Sequence, residues 1–322
     1  MKAIIYTNYG PPEILQLKEV EKPIPEENEV LVKVYATSLN WLDWHFLTGT
    51  PYLTRIMAGF LKPKNNILGI DLAGLVEKVG TNVKQFQPGD EVFGSTGHGC
   101  FAEYVCVSEQ GLVKKPANIT FEQGAAVPGA ATPALQALRD HGKITPGQKV
   151  LINGASGGLG TFAVQIAKSM GALVTGVCSG RNLDLVRSLG ADQVIDYKQQ
   201  DFTQTDSCYD IIFDSVAKRS YSECQRVLST SGVYITTEFS PLLAFQARLI
   251  SVRRNKKFVP LPPRPPTHDD LVYINELLES KDVIPVIDRI FSLSEISEGL
   301  RYLKKGHAQG KIVVTIEHAI NS

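Results

Sequence analysis

The sequence predicts an α/β protein in which a doubly wound parallel sheet is inserted into a mostly β domain. Up to about residue 120, short strand-like segments are separated by turn signals such as Pro88-Gly89-Asp90. From Gln148 onward, strand-like segments alternate with helical ones, which is typical of a parallel sheet with crossover helices. The 322 residues, 43% of them hydrophobic, are enough for two domains with sizeable cores.

The elements follow this division in chain order. The first part is predicted to form strands at 2–6, 29–34 and 72–79, and the second at 149–153, 173–178, 193–197, 209–216 and 232–238. The later strands are short and rich in Val and Ile, as expected of strands buried on both faces. After them come an extended proline segment at 261–266, a helix at 269–280 and a last strand at 311–316. We therefore expect domains at 1–123 and 124–262, with 263–322 returning to the first.

Charge and composition exclude several classes of protein. Lys plus Arg and Asp plus Glu total 33 each, so the balance argues against a broad surface for nucleic acid or anionic membrane. The basic run Arg253, Arg254, Lys256 and Lys257 is interpreted as a solvated helix end. No apolar stretch reaches the roughly 18 residues of a membrane span. The odd number of cysteines, five, and the strand predicted at the first residues favour a reducing, cytoplasmic setting.

The strongest motif is the glycine-rich segment that joins the strand at 149–153 to a helical pattern. Ala155-x-Gly157-x-x-Gly160 matches the dinucleotide fingerprint with alanine in its first position. Glycine lets the backbone approach a pyrophosphate, and the helix N-terminus offers free N–H groups. We expect this loop to hold the cofactor through Ser156, Gly157, Gly158, Leu159 and Gly160.

The same segment also fits a rival pattern. Gly154-x-Ser156-x-Gly158 is the nucleophile elbow of α/β-hydrolases, which needs an acid and a histidine downstream. The histidines available, His268, His307 and His318, all lie beyond the alternating series. Because the chain before the loop resembles a separate β domain, the sequence favours cofactor binding over hydrolysis.

The end of the second strand of the series bears on the choice of cofactor. An acidic residue there would bind the 2′-hydroxyl of NAD, but the chain continues Cys178-Ser179-Gly180-Arg181 without one. A serine hydroxyl and a guanidinium suit a 2′-phosphate. The sequence therefore predicts NADP(H) bound through Ser179 and Arg181; the alternative is that Arg181 only begins a helix in solvent.

Several motifs, in this order, resemble the zinc-independent quinone oxidoreductase branch of the medium-chain dehydrogenase/reductases. They are Asn40-Trp41-Leu42-Asp43, Gly69–Gly74, Pro88–Val92, Gly99–Tyr104, Ala155–Gly160 and Gly310–Val314. The resemblance covers almost the whole chain and implies a Rossmann domain inserted in a GroES-like domain. It also implies a linker helix at 125–138 and cofactor contacts from Thr132, Tyr197, Val259 and Lys311.

The resemblance implies hydride transfer from NADPH to a quinone or an α,β-unsaturated carbonyl. Asn40 would donate to the developing oxyanion, Asp43 would order the loop or the nicotinamide ribose, and Tyr52 would donate a proton. The structural alternatives are an Asx turn for Asn40, a helix N-cap for Asp43 and a core aromatic for Tyr52. A scaffold or crystallin-like protein that only binds NADPH is the alternative function. A homodimer is the default oligomer.

The chain departs from the zinc-bearing relatives at their metal ligands. It has Gly69-Ile70-Asp71 in place of their Gly-His-Glu, and about Ser38 in place of their cysteine. Isoleucine and a neutral serine do not bind zinc, so metal-independent activity is expected. Pro133 after the linker threonine and the segment 50–66 are further departures, and both affect the expected shape of the substrate cleft.

Overall fold

A computed structural model describes residues 1–253 and 257–318, which form two compact units. The first unit comprises Met1–Gly129, Pro265–Glu279 and Pro285–Ser322, the last described as far as His318. The second unit comprises Ala130–Arg264 and Ser280–Ile284. Of the basic run, residues 254–256 lie outside the described residues.

The first unit is built on a mostly antiparallel sheet. Within the described residues its order is β14-β15-β3-β4-β5-β7, with β6 also paired to β3, and β1 and β2 form a separate antiparallel pair. Its strands are β1 (Lys2–Ile5), β2 (Gln16–Glu19), β3 (Glu29–Leu39), β4 (Asp71–Val79), β5 (Glu91–Ser95), β6 (Tyr104–Ser108), β7 (Leu112–Lys114), β14 (Ile287–Ser292) and β15 (Lys311–Thr315). The mostly β character expected of this part is confirmed, and β3 extends five residues beyond its predicted end.

Short helices connect these strands. They are α1 (Trp41–Thr48), α2 (Thr54–Ala58), α3 (Phe121–Ala125), α9 (His268–Glu279) and α10 (Ile296–Lys304). The α1 helix ends where Gly49 takes a left-handed conformation with φ of 61°, which glycine adopts without a steric penalty. None of the helices described is long and apolar enough to cross a membrane.

The second unit contains a parallel sheet with the order β10-β9-β8-β11-β12-β13 over the residues described. If β8 is taken as the first strand, this is the 3-2-1-4-5-6 order of a doubly wound dinucleotide-binding fold. Its strands are β8 (Lys149–Asn153), β9 (Leu173–Cys178), β10 (Gln193–Asp196), β11 (Tyr209–Asp214), β12 (Leu228–Thr236) and β13 (Lys257–Pro260). The predicted strands at 149–153 and 173–178 match exactly, whereas β13 was missed because four residues beside a proline cluster carry little periodic signal.

The helices of this unit include α5 (Gly158–Ser169), α6 (Leu183–Ser188), α7 (Tyr221–Cys224) and α8 (Pro241–Arg253). The linker helix expected at 125–138 is α4 (Pro128–Leu135), which contains Pro133 and continues as a π-helical segment at Gln136–Gly142. Proline lacks the backbone donor of a regular helix, and a π-helical segment is a recognised local departure from α-helical pairing. The one-piece helix predicted here is therefore corrected to an α-helix followed by a π-helix.

The returning chain contributes to both units. Asn118 Nδ2 donates to the carbonyl of Leu278 at 2.9 Å within the first unit. Gln165 on α5 bonds both backbone groups of Ile284, at 2.8 and 3.1 Å, which explains why Ser280–Ile284 belongs to the second. The segment predicted as 263–322 is thus interrupted by five residues of the second unit.

Candidate functional site

The glycine loop lies between β8 and α5, as its sequence predicted. Gly154 has a φ of +85°, and a Cβ on Gly160 would lie 2.0 Å from the Gly154 carbonyl oxygen. Gly157 caps α5, whose first N–H groups have no acceptor within the helix. The close approach of Gly160 to Gly154 therefore requires a residue without a side chain, and the N–H groups at the start of α5 are of the kind that bind anions.

Ser156 is held by a residue that sequence reasoning missed. Asn182 Nδ2 donates to Ser156 Oγ at 2.8 Å, and both side chains are buried. The backbone N–H groups of Gly154 and Ala155 both donate to the Val177 carbonyl, each at 3.0 Å. The loop is thus attached to the end of β9. Asn182 could have been found from the sequence only through its position directly after Arg181.

A carboxylate lies beside the predicted phosphate-binding residues. Asp196 ends β10, which pairs in parallel with β9, and a Cβ on Gly180 would lie 2.6 Å from Asp196 Oδ2. Its Oδ1 accepts from the Lys198 N–H at 3.0 Å. The second strand of the series, β9, has no acidic residue at its end, as the sequence predicted. The third strand, β10, nevertheless brings the carboxylate of Asp196 to the same edge of the sheet.

The remaining predicted cofactor residues occupy varied positions in the second unit. Thr132 on α4 is fully buried, and its Oγ1 has no hydrogen-bond partner among the described residues. Tyr197 is half exposed, and Val259 lies on β13 paired with Ile235. A buried hydroxyl without a partner, together with the glycine cradle, fits a dinucleotide, because a ligand would complete its hydrogen bonding.

The predicted catalytic pair Asn40 and Asp43 lies at the start of α1 in the first unit. Asp43 is fully buried, and its Oδ2 accepts from the Asn40 N–H at 2.8 Å while its Oδ1 accepts from the Gly69 N–H at 3.2 Å. Asp43 therefore joins the helix start to the segment before β4, and its contact with the Asn40 N–H is that of the N3 residue in a capping box. This is close to the helix-capping alternative, and the functional role of Asp43 stays a prediction.

Lys311 completes a buried polar cluster around Asn40. Its Nζ donates to Asn40 Oδ1 at 2.5 Å and lies 3.7 Å from Asp71 Oδ2. Asp71 Oδ2 also accepts from Asn40 Nδ2 at 2.9 Å and from Ser38 Oγ at 2.7 Å, while its Oδ1 has no partner among the described residues. The contacts described for the Lys311 ammonium are with Asn40 and Asp71. Its predicted contact with the cofactor stays a prediction.

Burial controls the ionisation of the cluster. Desolvation raises the pKa of Asp43 to about 7, with a further rise from the charge of Asp71, against the lowering effect of the Asn40 N–H and the Lys311 charge. Desolvation also raises the pKa of Asp71 and lowers the pKa of Lys311, while the attraction between these two charges acts in the opposite direction on each.

Tyr52 is the predicted residue that the structure does not bring to this cluster. Its side chain is 76% exposed, and the Arg55 guanidinium lies 4.8 Å from its ring centroid. The structural alternative of a core aromatic is therefore wrong. No contact with Asn40 or Asp43 is described, so the proton-donor role stays a prediction.

Two of the residues at the positions of the relatives' metal ligands, Ser38 and Asp71, form a polar contact with each other. Ser38 bonds Asp71, and Ile70 supplies only its carbonyl, which accepts from Ser95 Oγ at 3.0 Å. Over the part of the chain described, no group of three or more His, Cys, Asp or Glu side chains is arranged to hold a metal ion.

The fold and glycine loop define a dinucleotide-binding protein, and comparisons with known proteins identify its family. Residues 26–117 match the alcohol dehydrogenase GroES-like domain family, and residues 189–314 match the zinc-binding dehydrogenase family. The chain is 36% identical to the chloroplastic quinone-oxidoreductase QR1 of Triphysaria versicolor, over 98% of each chain. It is 31% identical to the chloroplastic NADPH-dependent alkenal/one oxidoreductase of Arabidopsis thaliana, over 98% of this chain and 79% of that one.

Among solved structures, the quinone oxidoreductase from Coxiella burnetii superposes with a TM-score of 0.87 at 31% identity, covering 98% of this chain and 99% of that chain. The chain therefore belongs to the medium-chain dehydrogenase/reductase superfamily, in its quinone oxidoreductase branch. It is an oxidoreductase of a family that uses a nicotinamide cofactor. The hydrolase interpretation is set aside, because the described partner of Ser156 is the amide of Asn182, which cannot act as a general base.

Replacing Gly157 by alanine tests the loop. The added Cβ would lie 3.4 Å from its nearest neighbour, the Gly154 carbonyl oxygen, so the free protein should keep its stability. A side chain where the backbone approaches the pyrophosphate should weaken cofactor binding by at least about tenfold. Cofactor titration by fluorescence and thermal unfolding measure the two effects. Gly97→Ala, with no atom near its added Cβ, is the control, and unchanged cofactor affinity in Gly157→Ala would contradict the assignment of the loop.

The pKa of Asp43 predicts a pH-dependent stability difference between wild type and Asp43→Asn. Because the folded pKa of about 7 exceeds the unfolded value, stability from Asp43 is complete below about pH 4 and is lost as the pH rises towards 7. The stability advantage of wild type should therefore shrink over this window, by a few kcal/mol at most since one pKa unit corresponds to about 1.4 kcal/mol. Urea unfolding at pH 5 and pH 8 measures it, and a constant difference would argue against a protonated, buried Asp43.

Proposed function

We propose that this protein is an NADPH-dependent, zinc-independent reductase of quinones or α,β-unsaturated carbonyl compounds. The observation that carries the proposal is the hydrogen-bonded cluster of Ser38, Asp71, Asn40 and Lys311, which includes the position, about Ser38, where the resemblance puts the cysteine ligand of zinc-bearing relatives. Without a Lewis acid, an ordinary alcohol or ketone is harder to activate, so the substrate should be electrophilic already. The names of two similar proteins, a quinone-oxidoreductase and an alkenal/one oxidoreductase, support this substrate class.

When bound, NADPH supplies the hydride. The glycine loop and Ser156 would hold the pyrophosphate, and Thr132 Oγ1 would complete its hydrogen bonding on the ligand. As hydride reaches the ring or β carbon, negative charge develops on the substrate oxygen. Asn40 is the donor proposed to stabilise that charge, and Asp43 keeps the backbone of the helix start in place.

Cofactor preference would depend on opposing charges at the edge of the parallel sheet. Ser179 and Arg181 favour a 2′-phosphate, whereas Asp196, beside Gly180, opposes it. We propose that NADPH is still preferred, because the guanidinium can form charge-assisted hydrogen bonds with the phosphate and Asp196 is an incompletely buried charge. The relative described as NADPH-dependent is consistent with this choice.

A cytoplasmic location and a homodimer complete the proposal. All five cysteines, each within the described residues, are free thiols, as suits a reducing compartment. Two similar proteins are described as chloroplastic, so fractionation of the native protein is the direct measurement of location. Light scattering of the purified chain gives the oligomeric state.

Turnover tests the function itself. NADPH oxidation should be measured with a panel of quinones, alkenals and saturated ketones, before and after prolonged chelator treatment. We expect activity with the quinones or enones, none with the saturated ketones, and no change after chelation. Cofactor binding without turnover would support the scaffold alternative. Stoichiometric zinc that is lost together with activity would overturn metal independence.

Two substitutions should shift cofactor preference in opposite directions. Arg181→Ala should weaken NADPH binding by roughly 10- to 150-fold, the loss of a charge-assisted contact, and leave NADH binding almost unchanged. Asp196→Asn should tighten NADPH binding about fivefold, for an interaction of about 1 kcal/mol with an incompletely buried charge.

The matched control is Asp184→Asn, which neutralises an exposed carboxylate on α6 that pairs with Arg187. Dissociation constants for both cofactors are measured by fluorescence. Equal weakening of NADPH and NADH in Arg181→Ala would show that this edge of the sheet does not hold the 2′-phosphate.

A further inference from the structure

The side-chain amide of Asn40 is held between two opposite charges. Lys311 Nζ approaches Asn40 Oδ1 at 2.5 Å, and Asp71 Oδ2 accepts from Asn40 Nδ2 at 2.9 Å. An ammonium can only donate and a carboxylate can only accept. A flipped amide would face each charge with the wrong atom, so this pair permits one orientation only.

The same contacts leave one amide hydrogen weakly bound. Asn40 Nδ2 carries two hydrogens: one goes to Asp71, and the other meets the Ser38 carbonyl at 3.5 Å, the outer limit of a hydrogen bond. Ser38 Oγ fixes Asp71 in turn, at 2.7 Å. The second hydrogen is therefore available to a stronger acceptor.

We propose that Lys311 and Asp71 are positioning residues that orient the Asn40 amide and strengthen it as a donor to the substrate oxyanion. The inference rests on the proposed reductase function. The ammonium polarises the amide through Oδ1, and hydrogen bonds in a buried chain reinforce one another. A fixed positive charge thus acts on the substrate oxygen through the Asn40 amide, where zinc-bearing relatives use a metal. The cofactor contact predicted for Lys311 stays a prediction beside this role.

The competing explanation is that the pair only neutralises its own charge. Lys311 is 4% exposed and Asp71 fully buried, and removing one partner of such a pair leaves an uncompensated charge that destabilises the fold. Single substitutions therefore do not separate the two explanations. Replacing both residues by neutral ones removes the charges together and does separate them.

The main experiment compares wild type with the double variant Lys311→Met/Asp71→Asn. We expect kcat for an enone to fall roughly 10- to 100-fold, less than the 10²–10³-fold typical when an oxyanion donor itself is removed. NADPH affinity is measured separately, because a change in it would report on the cofactor contact predicted for Lys311. A double variant that is stable and fully active would show that the pair only neutralises its own charge, and would overturn the proposal.

A cycle with Asn40→Ala tests whether the pair acts through the amide. In that background the double substitution should have little further effect on kcat, because the group it orients is gone. Equal losses in both backgrounds would overturn the proposal. Lys115→Met is the matched control: the side chain of Lys115, also in the first unit, is only 5% exposed and lies 2.9 Å from Glu91, and its loss should leave kcat for the enone unchanged.

A measurement without turnover keeps the proposal separate from the proposed function. In protein labelled with ¹⁵N-asparagine, the Asn40 side-chain signals are assigned by their absence in Asn40→Ala. In wild type the hydrogen that Asn40 Nδ2 donates to Asp71 should exchange slowly with solvent, and in the double variant its exchange should be at least about tenfold faster, because the orienting hydrogen bonds are lost. If wild type reduces no quinone or enone, the reductase function fails while this result still decides the orientation. Unchanged exchange in the double variant would show that Lys311 and Asp71 do not orient the Asn40 amide, and would overturn the proposal.

Discussion

The Lys311 ammonium and the carboxyl groups of Asp71 and Asp43 are buried together in the first unit, and their burial constrains the side chains and backbone groups that contact them. Charges removed from water must be paired and fully hydrogen-bonded, or they destabilise the fold. Lys311, Asp71 and Asp43 meet most of this demand through Asn40, Ser38 and the backbone of Gly69, whereas Asp71 Oδ1 has no partner among the described residues. The α1 helix start, the segment before β4 and the first residue of β15 are thereby joined at one point.

Strand register creates this point. The β15 and β3 strands pair antiparallel with Val313 opposite Ser38, so Lys311 falls beside Asn40 at the strand end. The β3 and β4 strands pair with Ala36 opposite Ala73, which brings Ser38 level with Asp71. The glycine loop and most strands could be predicted from local patterns, but this cluster could not. It depends on pairing between segments separated by 271 residues along the chain, which no local periodicity encodes.

At the edge of the parallel sheet, too, residues that meet only through the fold could not be predicted from local sequence patterns. The fingerprint rule considers only the residue at the end of the second strand, and there the chain has no acid. Parallel neighbours end at the same edge, however, so Asp196 of β10 lies beside Gly180, which follows the second strand. Asn182 was missed for a related reason: its partner Ser156 lies 26 residues earlier and is brought near only by the loop fold. For Tyr52, a role was predicted without any sequence signal for its burial, and the structure shows an exposed side chain.

The proposed orientation of the Asn40 amide would explain why a costly polar cluster persists in a core that apolar side chains could fill. Apolar residues of similar volume often stabilise a protein relative to a buried ion pair. They would leave the Asn40 amide free to rotate, since nothing would distinguish its oxygen from its nitrogen. A metal ion polarises a substrate oxygen directly and needs several ligands, whereas an amide fixed between Lys311 and Asp71 offers one donor in one direction. That weaker polarisation would suit substrates that are electrophilic before they bind, which is the substrate class proposed for this protein.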